Sequence, residues 1–206
     1  MTIKTPGAEY KIEPLKSHHD RAAFSCGVPT LDMYLQRQAR QDLERKLAAV
    51  FVLTPDSKTI SGFYTLSAHS ILATDLPEGQ AKKLPRFPLP VTLLGRMGVS
   101  QDLHGQRLGE FLLMHALERA WIGSQQVASW AVVVDAKAGA RDFYLKHDFI
   151  PFPSQPDRLF LPMTTIEKLF TATKVTAEIL PHSRRAQFRS QRSEGRKASP
   201  SGSGIV

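Results

Sequence analysis

Residues 92–120, TLLGRMGVSQDLHGQRLGEFLLMHALERA, constrain the fold more than any other stretch of the chain. A short apolar run at 92–99 carries two glycines and ends in a polar turn. A compact glycine-bearing loop, 104–109, follows, and then Leu108, Leu112, Ala116, Leu117 and Ala120 recur at helical spacing. Strand, tight loop and helix in that order leave unpaired backbone N–H groups at a helix N-terminus, where the macrodipole also favours negative charge. Such a junction either seats an anion or is an ordinary strand-to-helix turn. It is neither common phosphate cradle, because the loop contains no G-x-G-x-x-G and no G-x-x-x-x-G-K-[ST].

The flanking sequence alternates between the two periods. Residues 9–14 read as a first strand, 30–46 as an amphipathic helix, and 47–54 with 59–71 as a hairpin around Pro55-Asp56. The proline-rich span 85–90 forces extended chain before the 92–99 strand. SWAVVVD (129–135) reads as a buried strand and AKAGARDFYLKH (136–147) as the helix after it. Another strand begins at 148–150, and a closing strand falls near 158–163. The class is α/β: a mixed sheet with antiparallel hairpins first and helical crossovers later.

Bulk properties fit one domain with a real core. The chain has 206 residues and 42% hydrophobic content, too much for a disordered chain. No apolar run approaches a membrane span, and residues 1–12 lack the apolar core of a secretory signal, so a cytoplasmic protein is expected. The single Cys26 excludes a disulfide framework and a cysteine zinc cluster. The seven histidines show no H-E-x-x-H, so no metal is expected. Charge is uneven. Residues 171–206 hold seven basic side chains and two acids, a net +5 of the chain's +8, which leaves +3 for the first 170 residues. That Ser/Gly-rich tail reads as mostly disordered after a helical extension at 171–180. It is either a solvated appendage or a contact for RNA or a partner.

Five segments together carry a family resemblance. The loop His104-Gly105-Gln106-Arg107-Leu108-Gly109 resembles the pyrophosphate loop of GNAT-superfamily N-acetyltransferases. The pattern there is Arg or Gln, two residues, Gly, one residue, Gly or Ala. Gly109 and the Gly105-Gln106 pair match; His104 replaces Arg or Gln, and Arg107 replaces glycine. FYLKHDF resembles the closing Phe-Tyr…Gly-Phe motif, with Asp148 at the usual glycine. FSCGVPTLDMYLQRQARQ (24–41), SGFYTLSAHSI (61–71) and LPRFPLPVTLLGRMGV (84–99) resemble the acetyltransferase toxins of bacterial type II toxin–antitoxin pairs. The likeness spans roughly residues 10–170, which sets a GNAT-like domain at 1–170 and the tail at 171–206.

The resemblance implies a sheet in which two parallel strands, here 92–99 and 129–135, splay to admit the pantetheine arm of acetyl-CoA. Gly95 and Gly98 suit a bulge that re-aims a strand, or else close packing against a helix. Freed N–H groups of Met97, Gly98 and Val99 would bind the pantetheine and polarise the thioester, and residues His104 to Gly109 would hold the diphosphate. The same resemblance places Tyr144 beside the sulfur. A phenol with a pKa near 10 is protonated at working pH and can serve the departing thiolate; otherwise Tyr144 is a core aromatic. Arg96, central in an apolar strand, needs a partner, either substrate phosphate or an acid. Lys82, Lys83 and Arg86 are a solvated surface or an RNA backbone contact.

No general base stands out. Glu110, Glu118 and Asp135 are the nearest acids, and Asp135 suits a cap of the following helix. A site without a strong base fits an α-amine, with a pKa of about 7.7–8.0, better than a lysine near 10.4. The expected protein is therefore an acetyl-CoA-dependent N-acetyltransferase, a toxin acting on the amino group of aminoacyl-tRNA. Its implied partner is a ribbon-helix-helix antitoxin, with a homodimer left open. Two alternatives stand beside it: an amine acetyltransferase for a small molecule or protein N-terminus, and a silent GNAT-fold binding module.

Overall fold

The computed structural model describes residues 2–5, 8–137 and 139–179, with side chains through residue 171. Of the tail, only the helical extension falls within that range; the reading of residues 180–206 as disordered lies outside the described residues. The chain divides into a unit of Met1–Ile166, which carries the whole sheet, and a second of Glu167–Val206.

Among the described residues, eight strands form one sheet in the order β1-β2-β3-β4-β5-β6-β8-β7. They are β1 (Thr2–Thr5), β2 (Ala8–Pro14), β3 (Ala49–Thr54), β4 (Gly62–Ile71), β5 (Leu89–Val99), β6 (Ala131–Asp135), β7 (Ile150–Phe152) and β8 (Gln155–Pro162). All neighbours are antiparallel except β5 and β6. The β3–β4 hairpin turns where Pro55-Asp56 predicts it. The Asp56 carboxylate accepts the N–H of Lys58 at 2.8 Å and of Thr59 at 2.7 Å, and these bonds hold its pKa down to about 2. The β1 strand is an addition that the short TIKT segment does not announce.

The expected 30–46 helix is interrupted. It comprises α1 (Pro29–Met33), a π-turn (Tyr34–Gln38) and α2 (Ala39–Glu44). Leu31, Tyr34, Leu35 and Ala39 all turn inward onto Phe24 and Phe63, and apolar spacing alone does not separate this path from an unbroken α-helix. The linker between β4 and β5 holds a 3₁₀ turn (Ala73–Asp75) and α3 (Glu78–Ala81). The long helix α4 (Leu108–Ser124) packs on β4 and β5. The 136–147 helix shrinks to α5 (Arg141–Leu145), and α6 (Met163–Ile179) follows β8.

Side chains alternate across a sheet, so odd-numbered residues of β4 share a face. At one end of that face Phe63 packs under the 29–44 helices; at the other Ile71 packs with Ala73 and Leu76 of the linker. No described helix is long and apolar enough to cross a membrane.

Candidate active site

The parallel pair β5–β6 is short. Thr92, Leu93 and Leu94 pair with Val132, Val133 and Val134, and pairing then stops although β5 runs on to Val99 beside β4. The cause is local. On β4, Thr65 faces Arg96 and the next residue, Leu66, faces Leu94, so Gly95 is an extra, unpaired residue. A bulge bends its strand and breaks the ladder, which releases the edge of residues 95–99 from β6. Gly95 thus fulfils the bulge expectation. Gly98 does not: it stays paired with Phe63, and a Cβ there would meet the Cys26 Sγ at 3.3 Å, so its role is close packing.

The gap is a cleft of about 350 Å³. Gly95, Arg96, Met97, Gly98 and Val99 line one side, Asp135, Lys137 and Tyr144 the other, with Cys26, Val28 and Leu31 at the helix wall. Cys26 is a buried thiol pushed up to about 11 by burial and by Asp32, which makes it a poor nucleophile. Tyr144 is 8% exposed and packs edge-on against Phe143 and Phe149. Burial pushes its hydroxyl up to about 12. No hydrogen bond engages that hydroxyl among the described residues, so it is a protonated donor with nothing to donate to.

A second groove of about 420 Å³ continues from the first, sharing Val99 and His104 and running along Gly105, Arg107 and Gly109 to Phe143 and His147. It ends at the start of α4. The N-cap there is Arg107, whose side chain makes no capping bond, so the first-turn N–H groups of a 17-residue helix stay open to an anion. A Cβ at Gly105 would meet nothing within 4 Å, and one at Gly109 only Val99 at 3.9 Å. This leaves room for a diphosphate.

The loop side chains sit less simply than their motif positions imply. The His104 Nε2 donates to the Val99 carbonyl at 3.0 Å, tying the loop to the strand end. Leu108 is buried in the core, so only its backbone faces the groove. The Gln106 side chain lines a different hollow, between β1 and α4. Arg107 takes a left-handed conformation, φ +60°, and its guanidinium bonds both oxygens of Glu110 at 3.0 and 3.3 Å. That fork holds the Glu110 carboxyl below its ordinary value and neutralises an acid that would otherwise repel an anion from the helix start.

Among the described residues Arg96 pairs with no acid: its guanidinium stacks on the Tyr34 ring. Lys82 and Lys83 belong to the β4–β5 linker. Lys82 pairs with Glu78 at 3.8 Å, and neither lysine lines the cleft. Asp135 does not cap α5, which begins six residues later under Ala140; it stands at the cleft. Tyr34, Lys137 and Arg158 are the neighbours sequence reading missed, because only the register brings them together.

Glu13, His18 and His19 place ligand atoms within 4.8 Å of one another. Yet the His19 Nδ1 accepts the Lys16 N–H at 2.9 Å, so its Nε2 carries the proton and donates to Glu13 at 2.9 Å, while Lys11 pairs with Glu13 at 2.9 Å. A cation would have to displace both donors. The cluster is a braced turn.

No protein-family model matches the chain. It is 34% identical over 176 residues to a probable toxin TacT of Sinorhizobium fredii (strain NBRC 101917 / NGR234), covering 80% of this chain and 97% of that protein. It is also 34% identical over 145 residues to a tRNA-acetylating toxin of Mycobacterium tuberculosis (strain ATCC 25618 / H37Rv), covering 70% and 86%. The chain belongs to the TacT family of GNAT-fold acetyltransferase toxins. Solved structures agree in fold. AtaT complexed with acetyl-methionyl-tRNAfMet matches with a TM-score of 0.73 at 28% identity, covering 78% of this chain and 99% of that one. A tyrosine-to-phenylalanine variant of AtaT bound to the C-terminus of the antitoxin AtaR and acetyl-CoA matches at 0.68 and 27%, covering 79% and 98%.

Proposed function

We propose that this toxin transfers the acetyl group of acetyl-CoA to the α-amine of an aminoacyl-tRNA, so that the amino acid can no longer enter a peptide. One observation carries the reading: the splay at Gly95 opens beside an unpartnered, protonated Tyr144 hydroxyl and continues to the open N-terminus of α4. On this reading the diphosphate lies on the backbone of residues 104–109, and the pantetheine runs along Met97 to Val99. The thioester carbonyl reaches the free strand edge, and the Tyr144 hydroxyl gives its proton to the departing thiolate. Arg96 faces the acceptor end of the RNA. Lys82 and Lys83, which do not line the cleft, and the basic tail supply a general phosphate attraction. The protein acts in the cytoplasm, and its neutralising partner is a ribbon-helix-helix antitoxin.

A silent GNAT-fold module would rest on the loop's two departures from the family pattern, His104 and Arg107. Arg107 is engaged with Glu110 and His104 with Val99, which supports a working loop. A translation extract tests the reading. Protein plus acetyl-CoA stops synthesis, either alone does not, and the charged tRNA pool acquires N-acetyl groups. An extract that keeps translating with both present contradicts it.

A further inference from the structure

The polar side chains lining the cleft are Arg96, His104, Asp135, Lys137 and Tyr144, beside the Cys26 thiol. Asp135 comes directly after the last β5–β6 pair, Leu94 with Val134, and so marks the point where the strands part. It is the one carboxylate among the described residues lining the cleft, and its side chain is 62% exposed. It is also braced. Its antiparallel partner Arg158 places Nε 3.5 Å from the Asp135 Oδ1. The Arg158 guanidinium lies over the Phe152 ring at 5.6 Å, and its Nη2 donates to the His69 Nε2 at 2.7 Å. Among the described residues the buried Arg158 Nε has no hydrogen-bond partner, and the ion pair with Asp135 is the contact it makes. An arginine held by a ring and a histidine thus stands as a cation beside the Asp135 carboxylate, which lines the cleft.

We propose that Asp135 receives the attacking amine, drawing in the substrate ammonium and accepting an N–H proton as the nitrogen attacks, with Arg158 as its positioning residue. This rests on the aminoacyl-tRNA reading. The bound ammonium first releases one proton to solvent. The amine nitrogen then bonds to the thioester carbonyl carbon, and the C–S bond breaks with its electron pair on sulfur. Tyr144 gives its proton to that sulfur while one N–H proton passes to Asp135. Water then takes the proton from Asp135 and returns one to Tyr144, leaving the acetyl amide and the free CoA thiol. Arg96, Lys137, His104 and Tyr144 line the same cleft, and His69 stands behind Arg158. Asp135 is the sole anion among them, so the field at the amine depends on it most.

The test is steady-state kinetics of the full chain with charged tRNA and acetyl-CoA across neutral pH, for wild type, Asp135→Asn and Arg158→Gln. An anion beside an ammonium stabilises its charged form, and a cation does the reverse. Asp135→Asn therefore lowers kcat by about tenfold or more and moves the rising limb of the pH profile to lower pH. Its KM for acetyl-CoA is unchanged. Arg158→Gln keeps the carboxylate, lowers kcat less, and moves the limb to higher pH. Melting curves with saturating acetyl-CoA verify that both variants fold. An Asp135→Asn enzyme with wild-type kcat, or a slower one whose limb stays in place, overturns the proposal alone. Wild-type protein that acetylates no charged tRNA overturns the substrate reading beneath it.

Discussion

The Arg96 guanidinium lies 3.8 Å above the centre of the Tyr34 ring. That contact joins the strand just past the bulge to the first residue of the π-turn, and it answers how a cation lives in an otherwise apolar strand. Burial, aided by the Asp42 charge and opposed by Arg96, pushes the Tyr34 hydroxyl up to about 12, so the stack is cation on neutral ring. Replacing Arg96 by Met keeps the stem and removes the charge. The expected loss is about 0.5–1 kcal/mol of stability. The larger effect falls on charged tRNA, whose KM rises while that of acetyl-CoA stays put. Equal KM values for both substrates in wild type and variant would confine Arg96 to a structural role.

Tyr144→Phe removes a hydroxyl that makes no hydrogen bond in the fold, so its stability stays near wild type. Turnover should drop by roughly 10² to 10⁴. Since the phenol is pushed up to about 12, it remains protonated through the working range. The wild-type rate should therefore rise as the amine deprotonates and show no falling limb below about pH 10. A descending limb near neutrality would assign the acid role to another group.

Arg107 offers a clean backbone comparison. Both Arg107→Gly and Arg107→Ala lose the Glu110 pair, which at this exposed position adds little. Only glycine fits φ +60° without strain, a conformation costing other residues about 1–2 kcal/mol. The glycine variant should melt higher than the alanine one by about 1 kcal/mol. An alanine variant as stable as the glycine one would show that the loop relaxes freely.

His115 on α4 is buried against Tyr64, whose hydroxyl lies 2.7 Å from its Nδ1. Burial holds the imidazole down to about 4, against an ordinary 6.5. A depressed folded value means stability is complete above pH 6.5 and is lost as pH falls toward 4, because the unfolded chain takes up the proton first. The loss attributable to this group is on the order of 3 kcal/mol. Urea midpoints of wild type and His115→Gln should converge as pH falls through that window. A constant gap between them would remove His115 from acid unfolding.

Much of this was legible before the fold. The 92–120 pattern gives strand, loop and helix because each period is long and the glycines punctuate it. A bulge could be expected at Gly95 or Gly98, and only the register with β4 assigns it to Gly95. What was not legible depends on register. Arg96 meets Tyr34 from 62 positions away in sequence, and Arg158 meets Asp135 only because β8 runs antiparallel to β6. The cap reading of Asp135 failed because α5 starts late, at Arg141, after a glycine with φ +83° at position 139. Side-chain partners in the loop were not legible either: the His104 ring bonds the Val99 carbonyl, and Gln106 lines a hollow beside β1.

The account is tested most directly by following labelled acetyl from acetyl-CoA onto purified tRNA in three states: charged, uncharged, and charged with the α-amine already blocked. The prediction is label on the first alone, released with the amino acid when the ester is hydrolysed, and none with Tyr144→Phe. Label on uncharged or blocked tRNA, or equal labelling by the Tyr144→Phe protein, would contradict it.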